Sequence, residues 1–150
     1  MMIDNFRGDY FFLSNFYPCP FLFAGMEWPS VEHAYQAWKS REWIIREQIR
    51  KLPDAARARR AGRSLVRRRD WNKIKQPLML ALLRSKFGQS KELVGKLLAT
   101  GDQELVEGNT WCCNEWGSCR CPKCVDKPKL NMLGLMLMQV RGELKVFFTD

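Results

Sequence analysis

At Pro29-Ser30 the sequence changes character, and this boundary does most to limit the folds open to the chain. Before it, Phe6, Tyr10, Phe11, Phe12, Phe16, Tyr17, Phe21 and Phe23 are interrupted by Gly8, Pro18, Pro20 and Gly25. Aromatic runs broken by turn formers suit short strands joined by tight turns. Phe21-Leu22-Phe23 and Glu27-Trp28 are predicted to flank an Ala24-Gly25 turn. After the boundary, Val31 to Lys39 is a run of helix formers. Ser30 stands where its hydroxyl can accept from the orphan N–H groups of the first turn, which predicts a helix starting at Val31.

The remainder reads as mostly helix. Residues 46–69 suit two short helices broken near Pro53 and Gly62. A helix capped by Asp70 then runs from Trp71 towards Phe87, perturbed by Pro77, with Trp71, Ile74, Leu78 and Leu82 as its apolar stripe. Ser90 is placed to cap another helix, carrying Leu93, Val94, Leu97 and Leu98 and ending at Gly101. A cysteine-bearing loop leads to an apolar helix over Asn131–Arg141, stopped by Gly142, and Val146-Phe147-Phe148 is read as a terminal strand. The expectation is an α+β fold, predominantly helical: one compact domain over residues 1–150 with short N-terminal β-strands. With 150 residues, 46% of them hydrophobic, one real core is affordable and two are not.

No stretch approaches the roughly 18 apolar residues of a membrane span; the densest run, Met132 to Val140, is broken by Gly134 and Gln139. The first residues lack the basic and apolar regions of a secretory signal. A cytoplasmic protein is expected, and in a reducing compartment its six cysteines are thiols or metal ligands and not disulfides.

Lys and Arg outnumber Asp and Glu by 25 to 16. Ten of the basic residues fall between Arg46 and Arg69 against only Glu47 and Asp54, so most of the net charge sits in one segment. Such a face is either simply solvated or a binder of phosphate, which guanidinium groups grip bidentately. No GxGxxG or P-loop motif occurs, which leaves a dinucleotide or NTPase site unsupported.

Within the predicted helix at Val31, residues three and four apart share a face. Glu32, Tyr35 or Gln36, and Lys39 therefore align a carboxylate, a polar middle and an amine. Glu32 lies in the first turn, where the helix dipole favours its charged form. A charged carboxylate suits a base or a stabiliser of positive charge. The same residues also fit an ordinary dipole-compensating glutamate and a solvated lysine. His33, the only histidine, fits a structural as well as a chemical role.

Five cysteines lie between Cys112 and Cys124. Cys121-Pro122-Lys123-Cys124 has the spacing of a zinc knuckle, and one or two nearby thiolates would complete a tetrahedral site. A second CxxC is missing, so free thiols remain the alternative.

Several segments together resemble one family, the YbiA-like or NADAR proteins (NAD- and ADP-ribose-associated). They are Phe12-Leu13-Ser14-Asn15-Phe16; Trp28 to Lys39; Ala61-Gly62-Arg63; Trp71 with Lys75, Met79 and Lys86-Phe87; Leu97 to Asp102 with Leu105-Val106-Glu107; Trp116-Gly117; and Asn131 to Arg141. The resemblance implies a mainly helical α+β fold and an N-glycosidase that cleaves C1′–N bonds. The implied substrates are phosphoribosylated riboflavin-pathway intermediates or ADP-ribose attached to guanine, the latter as a free species or on nucleic acid. By the same resemblance Glu32 and Lys39 fall on the catalytic carboxylate and lysine, and Trp116 and Asn131 on pocket motifs. Trp116, Tyr35 or Phe16 would stack on the base, and Arg7, Arg63 or Arg141 would hold phosphates. Ser14, Asn15, His33, Asp102 and Gly117 complete the expected substrate-binding set. After Trp116-Gly117 many relatives have an Asp and a glycine-rich stretch, whereas this chain has Ser118, Cys119, Cys121 and Cys124. A metal-braced loop is expected there, with structural zinc on Cys119, Cys121, Cys124 and one of Cys112 or Cys113, of which Cys112 is the choice because some cysteine-bearing relatives carry His at its position. The alternatives to an enzyme are a binding module for NAD- or ADP-ribose-derived ligands and a general nucleic-acid binder.

Overall fold

The computed structural model describes residues 1–148. They form two compact units, residues 15–90 and residues 1–14 with 91 onward. The fold is α+β and predominantly helical, as expected.

In the unit of residues 15–90, strands β2 (Phe21–Phe23) and β3 (Met26–Trp28) form an antiparallel hairpin pairing Phe21 with Trp28. Ala24 and Gly25 both have positive φ, 52° and 77°. A two-residue hairpin of this hand requires such a turn. Helix α1 (Val31–Ala37) starts where predicted, with the Ser30 side chain accepting from the His33 N–H. Every residue of α1 is buried, because α2 (Trp43–Arg50), α3 (Ala55–Arg63) and α4 (Trp71–Gly88) all pack on it.

Pro53 does separate α2 from α3, and Asp54 caps α3 by accepting from the Arg57 N–H. Gly62 does not break α3; it lies buried in the last turn, where the absent side chain lets α3 approach α1. Asp70 stands before α4 without capping it. Its carboxylate is taken by Arg68 and Arg41 instead, which hold its pKa down to about 2, the Arg68 hydrogen bonds contributing most. Pro77 is accommodated within α4.

In the other unit, β1 (Met2–Ile3) pairs in parallel with β4 (Glu104–Leu105). A 3-10 helix, Gly8–Leu13, occupies part of the N-terminal stretch read as strands. Phe12 and Leu13 bury against solvent from it, so the aromatic clustering there serves a helical turn and not a pleat. Helix α5 (Lys91–Ala99) packs on α6 (Met132–Phe148), with Leu93, Leu97, Leu133, Leu137 and Val140 buried. Strands β5 (Gly108–Asn109) and β6 (Ser118–Cys119) pair in parallel, and a second 3-10 turn covers Pro122–Cys124.

The expected stop at Gly142 and the terminal strand are both corrected. Helix α6 runs through Gly142 to Phe148. One glycine costs an exposed helix only about 1 kcal/mol, and the β-forming residues Val146, Phe147 and Phe148 are exposed, with no partner strand among the described residues to draw them out of the helix.

Candidate functional site

The local chemistry of α1 begins at its N-terminus. Ser30 Oγ lies 2.7 Å from His33 Nδ1, and His33 Nε2 lies 3.0 Å from the Leu52 carbonyl. A carbonyl only accepts, so Nε2 carries the proton and Nδ1 accepts from the serine hydroxyl. Burial pushes the histidine pKa below its ordinary value, which agrees with a neutral ring. Both nitrogens are thus used internally. His33, a residue of the expected substrate-binding set, ties α1 to the α2–α3 connection.

Glu32 is 3% exposed. Its Oε1 accepts from Gln36 Nε2 at 2.8 Å and from Arg59 Nε at 3.2 Å. Both bonds fall on one oxygen, which among the described residues leaves Oε2 for a ligand. The Arg59 guanidinium also lies over the Phe16 ring, 4.3 Å from its centroid. One face of Phe16 is therefore covered by the same group that braces the carboxylate. The Glu32 N–H bonds the Asn15 carbonyl at 3.1 Å. Asn15 Oδ1 and Gln36 Oε1 are buried and, among the described residues, have no hydrogen-bond partner.

Helix α1 ends at Ala37, two residues short of Lys39. The Lys39 N–H bonds the Gln36 carbonyl at 3.2 Å, so the chain leaves the helix through one tighter turn, and the amine still interacts with the Glu32 charge. Lys39 Nζ lies 5.9 Å from the centroids of Tyr35 and of Trp71, whose rings pack 5.0 Å apart. Its pKa is lowered, chiefly by burial; Glu32 opposes this, and Arg67, Arg63 and Arg59 add to it. The neutral form that a nucleophilic amine requires is thereby more accessible than in an ordinary lysine. Arg63 is exposed at the end of α3.

Residues 15–90 thus bring together Glu32, Lys39, Asn15, Phe16 and Tyr35, with the charge of Arg63 felt at Lys39. Sequence reasoning passed over Arg59, because ten basic residues in one segment give no reason to single it out. It also used Gln36 only as a neighbour on the helix face, although its spacing of four from Glu32 is the signal for their hydrogen bond.

The other expected site residues lie in the second unit. Arg7 is exposed just before the first 3-10 helix, and Ser14 closes that helix with its N–H on the Phe11 carbonyl. Asp102 is 97% exposed, near Lys145. Arg141 is buried and donates from Nη1 to Thr100 Oγ1 and the Gln103 carbonyl, both at 2.9 Å, which pins α6 to the turn after α5. Trp116 is half-buried, and its carbonyl accepts from the Leu133 N–H. Gly117 is buried where a β-carbon would meet Glu107 Oε2 at 1.9 Å. Asn131 has φ 47° and bonds the Leu105 carbonyl and the Glu107 N–H.

Also in this unit, Cys112, Cys119, Cys121 and Cys124 converge, with their sulfurs all within 4.8 Å of one another. Such a set could hold a metal ion. Crowding disfavours ionisation of Cys112, whose thiol is pushed up to about 12 by its contacts with Cys121 and Cys124.

Comparison with known proteins shows the family and the fold. The family model described as the NADAR domain matches residues 4–145. The chain is 36% identical over 140 residues to N-glycosidase YbiA of Escherichia coli (strain K12), covering 92% of this chain and 84% of that protein. It is 40% identical over 136 residues to riboflavin biosynthesis protein VVA0006 of Vibrio vulnificus, covering 89% of this chain but only 35% of that longer protein. The NMR structure of E. coli YbiA superposes with a TM-score of 0.83 at 34% identity, over 100% of this chain and 87% of the other. The chain therefore belongs to the NADAR domain family, and the role that goes with the family is that of an N-glycosidase-type enzyme.

Proposed function

We propose that this chain hydrolyses the C1′–N bond of a phosphorylated ribosyl or ADP-ribosyl base, with Glu32 and Lys39 at the reacting sugar. The observation that carries this reading is a buried carboxylate braced on one oxygen beside a lysine whose pKa is lowered. As the C1′–N bond breaks, its electron pair leaves with the base and positive charge develops at C1′. The charged Glu32 stabilises that charge, and its bracing by Gln36 and Arg59 fixes where it acts. Lys39 in its neutral form then attacks C1′ through Nζ. Ring opening gives an imine, the leaving base takes up a proton, and water adds to release the free ribose and restore the amine. The Tyr35–Trp71 pair confines the lysine. Arginines such as Arg63 hold phosphate, which suits substrates carrying one or more phosphates. The concentration of cysteines between Cys112 and Cys124 suits a reducing, cytoplasmic setting.

Incubation with ADP-ribosylated DNA, NAD and phosphoribosylated riboflavin intermediates, followed by mass spectrometry, tests this reading. Release of a free base from one of them is expected, and Glu32→Gln should lower kcat about 100-fold or more while KM changes little. Ligand binding with no turnover on any of them would move the protein to the binding-module reading.

A further inference from the structure

The cysteine cluster has no step in that reaction, yet it brings four sulfurs within 4.8 Å of one another. We propose that Cys112, Cys119, Cys121 and Cys124 bind one zinc ion, and that the ion fastens the segment between β5 and α6 that carries Trp116 and Gly117.

Tetrahedral zinc with Zn–S bonds of about 2.3 Å places its four sulfurs about 3.8 Å apart. Here all four sulfurs lie within 4.8 Å, and Cys112 Sγ lies 3.5 Å from Cys121 Sγ. A small contraction completes the site. The backbone is already arranged to receive thiolate charge. The N–H groups of Cys112 and Cys121 both point to Cys119 Sγ, at 3.2 and 3.4 Å. Cys112 reaches the cluster from a left-handed backbone, φ 64°, which a non-glycine residue adopts only where its surroundings impose it. The adjacent Cys113 stays outside the group: its N–H and carbonyl both bond Asn109. Selection of four of five neighbouring cysteines distinguishes a ligand set from a chance concentration of thiols.

The donors reach the ion from separate short elements. Cys119 is held in β6 opposite Asn109, Cys121 and Cys124 bracket the second 3-10 turn, and Cys112 lies in the loop after β5. This stretch has little apolar core of its own, since Trp111, Val125 and Leu130 are exposed while Cys119 and Cys124 are buried. A metal there supplies the cross-link that a small loop otherwise lacks. Binding releases the thiol protons to solvent and leaves a site of net charge about −2. Arg120, Lys123, Lys127 and Lys129 on the same segment offset it. With four protein ligands the ion has no open position, so its role is structural.

The test is independent of any glycosidase assay. The full chain as purified should contain about one zinc per molecule, and metal-free protein titrated with cobalt(II) should show thiolate-to-metal charge-transfer bands and the visible bands of a tetrahedral centre. Cys121→Ser and Cys124→Ser should lose the ion. Cys112→His should keep it with a shifted cobalt spectrum, and Cys113→Ser should keep it unchanged. Should the serine variants fail to fold, chelation of the wild-type chain provides the second measurement: hydrogen exchange should quicken across residues 110–130 and stay unchanged in α4. No metal uptake, iron in place of zinc, equal zinc content in Cys121→Ser and Cys113→Ser, or exchange indifferent to chelation would each overturn the proposal.

Discussion

A β-carbon on Gly62 would stand 1.9 Å from Oε1 of Gln36, the residue whose Nε2 holds Glu32. The glycine therefore bears on the position of the candidate catalytic carboxylate through the contact of α3 with Gln36. Rotating the amide does not relieve the contact, since Gln36 Cδ and Cβ also lie within 2.6 and 2.9 Å of that position. Gly62→Ala gains up to about 1 kcal/mol of helix propensity and loses about 1–3 kcal/mol to overpacking. Stability should therefore change only modestly while kcat falls at least about tenfold. Steady-state kinetics beside a thermal melt check this; unchanged kcat would show that the Gln36 brace is dispensable.

Part of this site is legible in the sequence because its determinants are local. Ser30 as cap, Glu32 in the first turn and Ala24-Gly25 as a hairpin turn all follow from neighbours within four residues. Arg59 does not, since its bond to Glu32 spans 27 residues and depends on how α3 docks on α1. The end of α1 at Ala37 is equally hidden: nothing in Trp38-Lys39 stops a helix, and the chain is redirected when Arg68 bonds the Lys39 carbonyl. Family resemblance places Asn131 in a pocket motif. The structure adds that its amide is spent on Leu105 and Glu107, a fact no spacing rule contains.

Asn131 should consequently behave as a structural residue. Its side chain satisfies one carbonyl and one N–H, and its backbone is left-handed, a conformation asparagine tolerates better than most. Asn131→Ala should cost about 2–4 kcal/mol, combining two lost hydrogen bonds with backbone strain. Asn131→Gly should recover the backbone part alone. Denaturant unfolding checks both; equal losses would mean that the left-handed conformation carries no cost.

Lys86 makes a pH prediction. It is 1% exposed on α4, and burial lowers its pKa to about 7. Between that value and the ordinary lysine value, the unfolded chain binds a proton that the folded chain does not. Stability must then rise with pH through this window, by up to about 1.4 kcal/mol per pH unit, and the penalty is complete below the folded pKa. Lys86→Met should flatten the slope. Urea midpoints at pH 7 and pH 9.5 measure it, and parallel slopes in the two proteins would mean that the amine stays charged in the folded state.

Lys39 is governed by the same physics but set for chemistry. Its neutral form is the nucleophile, so borohydride-trapped adduct should increase with pH through its lowered pKa. Arg67 and Arg63 help to lower that pKa, whereas Glu32 raises it. Arg67→Ala removes a repelling charge, so the amine should hold its proton longer and the trapping limb should move to higher pH. Glu32→Gln removes an attracting charge, and the limb should move to lower pH even as turnover collapses. Because the arginine is exposed, its effect should be weak and should fade at high salt. Lys39→Arg keeps the charge but cannot form an imine, so it should yield no adduct and no turnover. An active Lys39→Arg enzyme would assign the lysine to phosphate binding and leave Glu32 with water as the nucleophilic pair. Opposite movement of the limb in Arg67→Ala and Glu32→Gln, by contrast, can arise only if the trapped amine feels both charges.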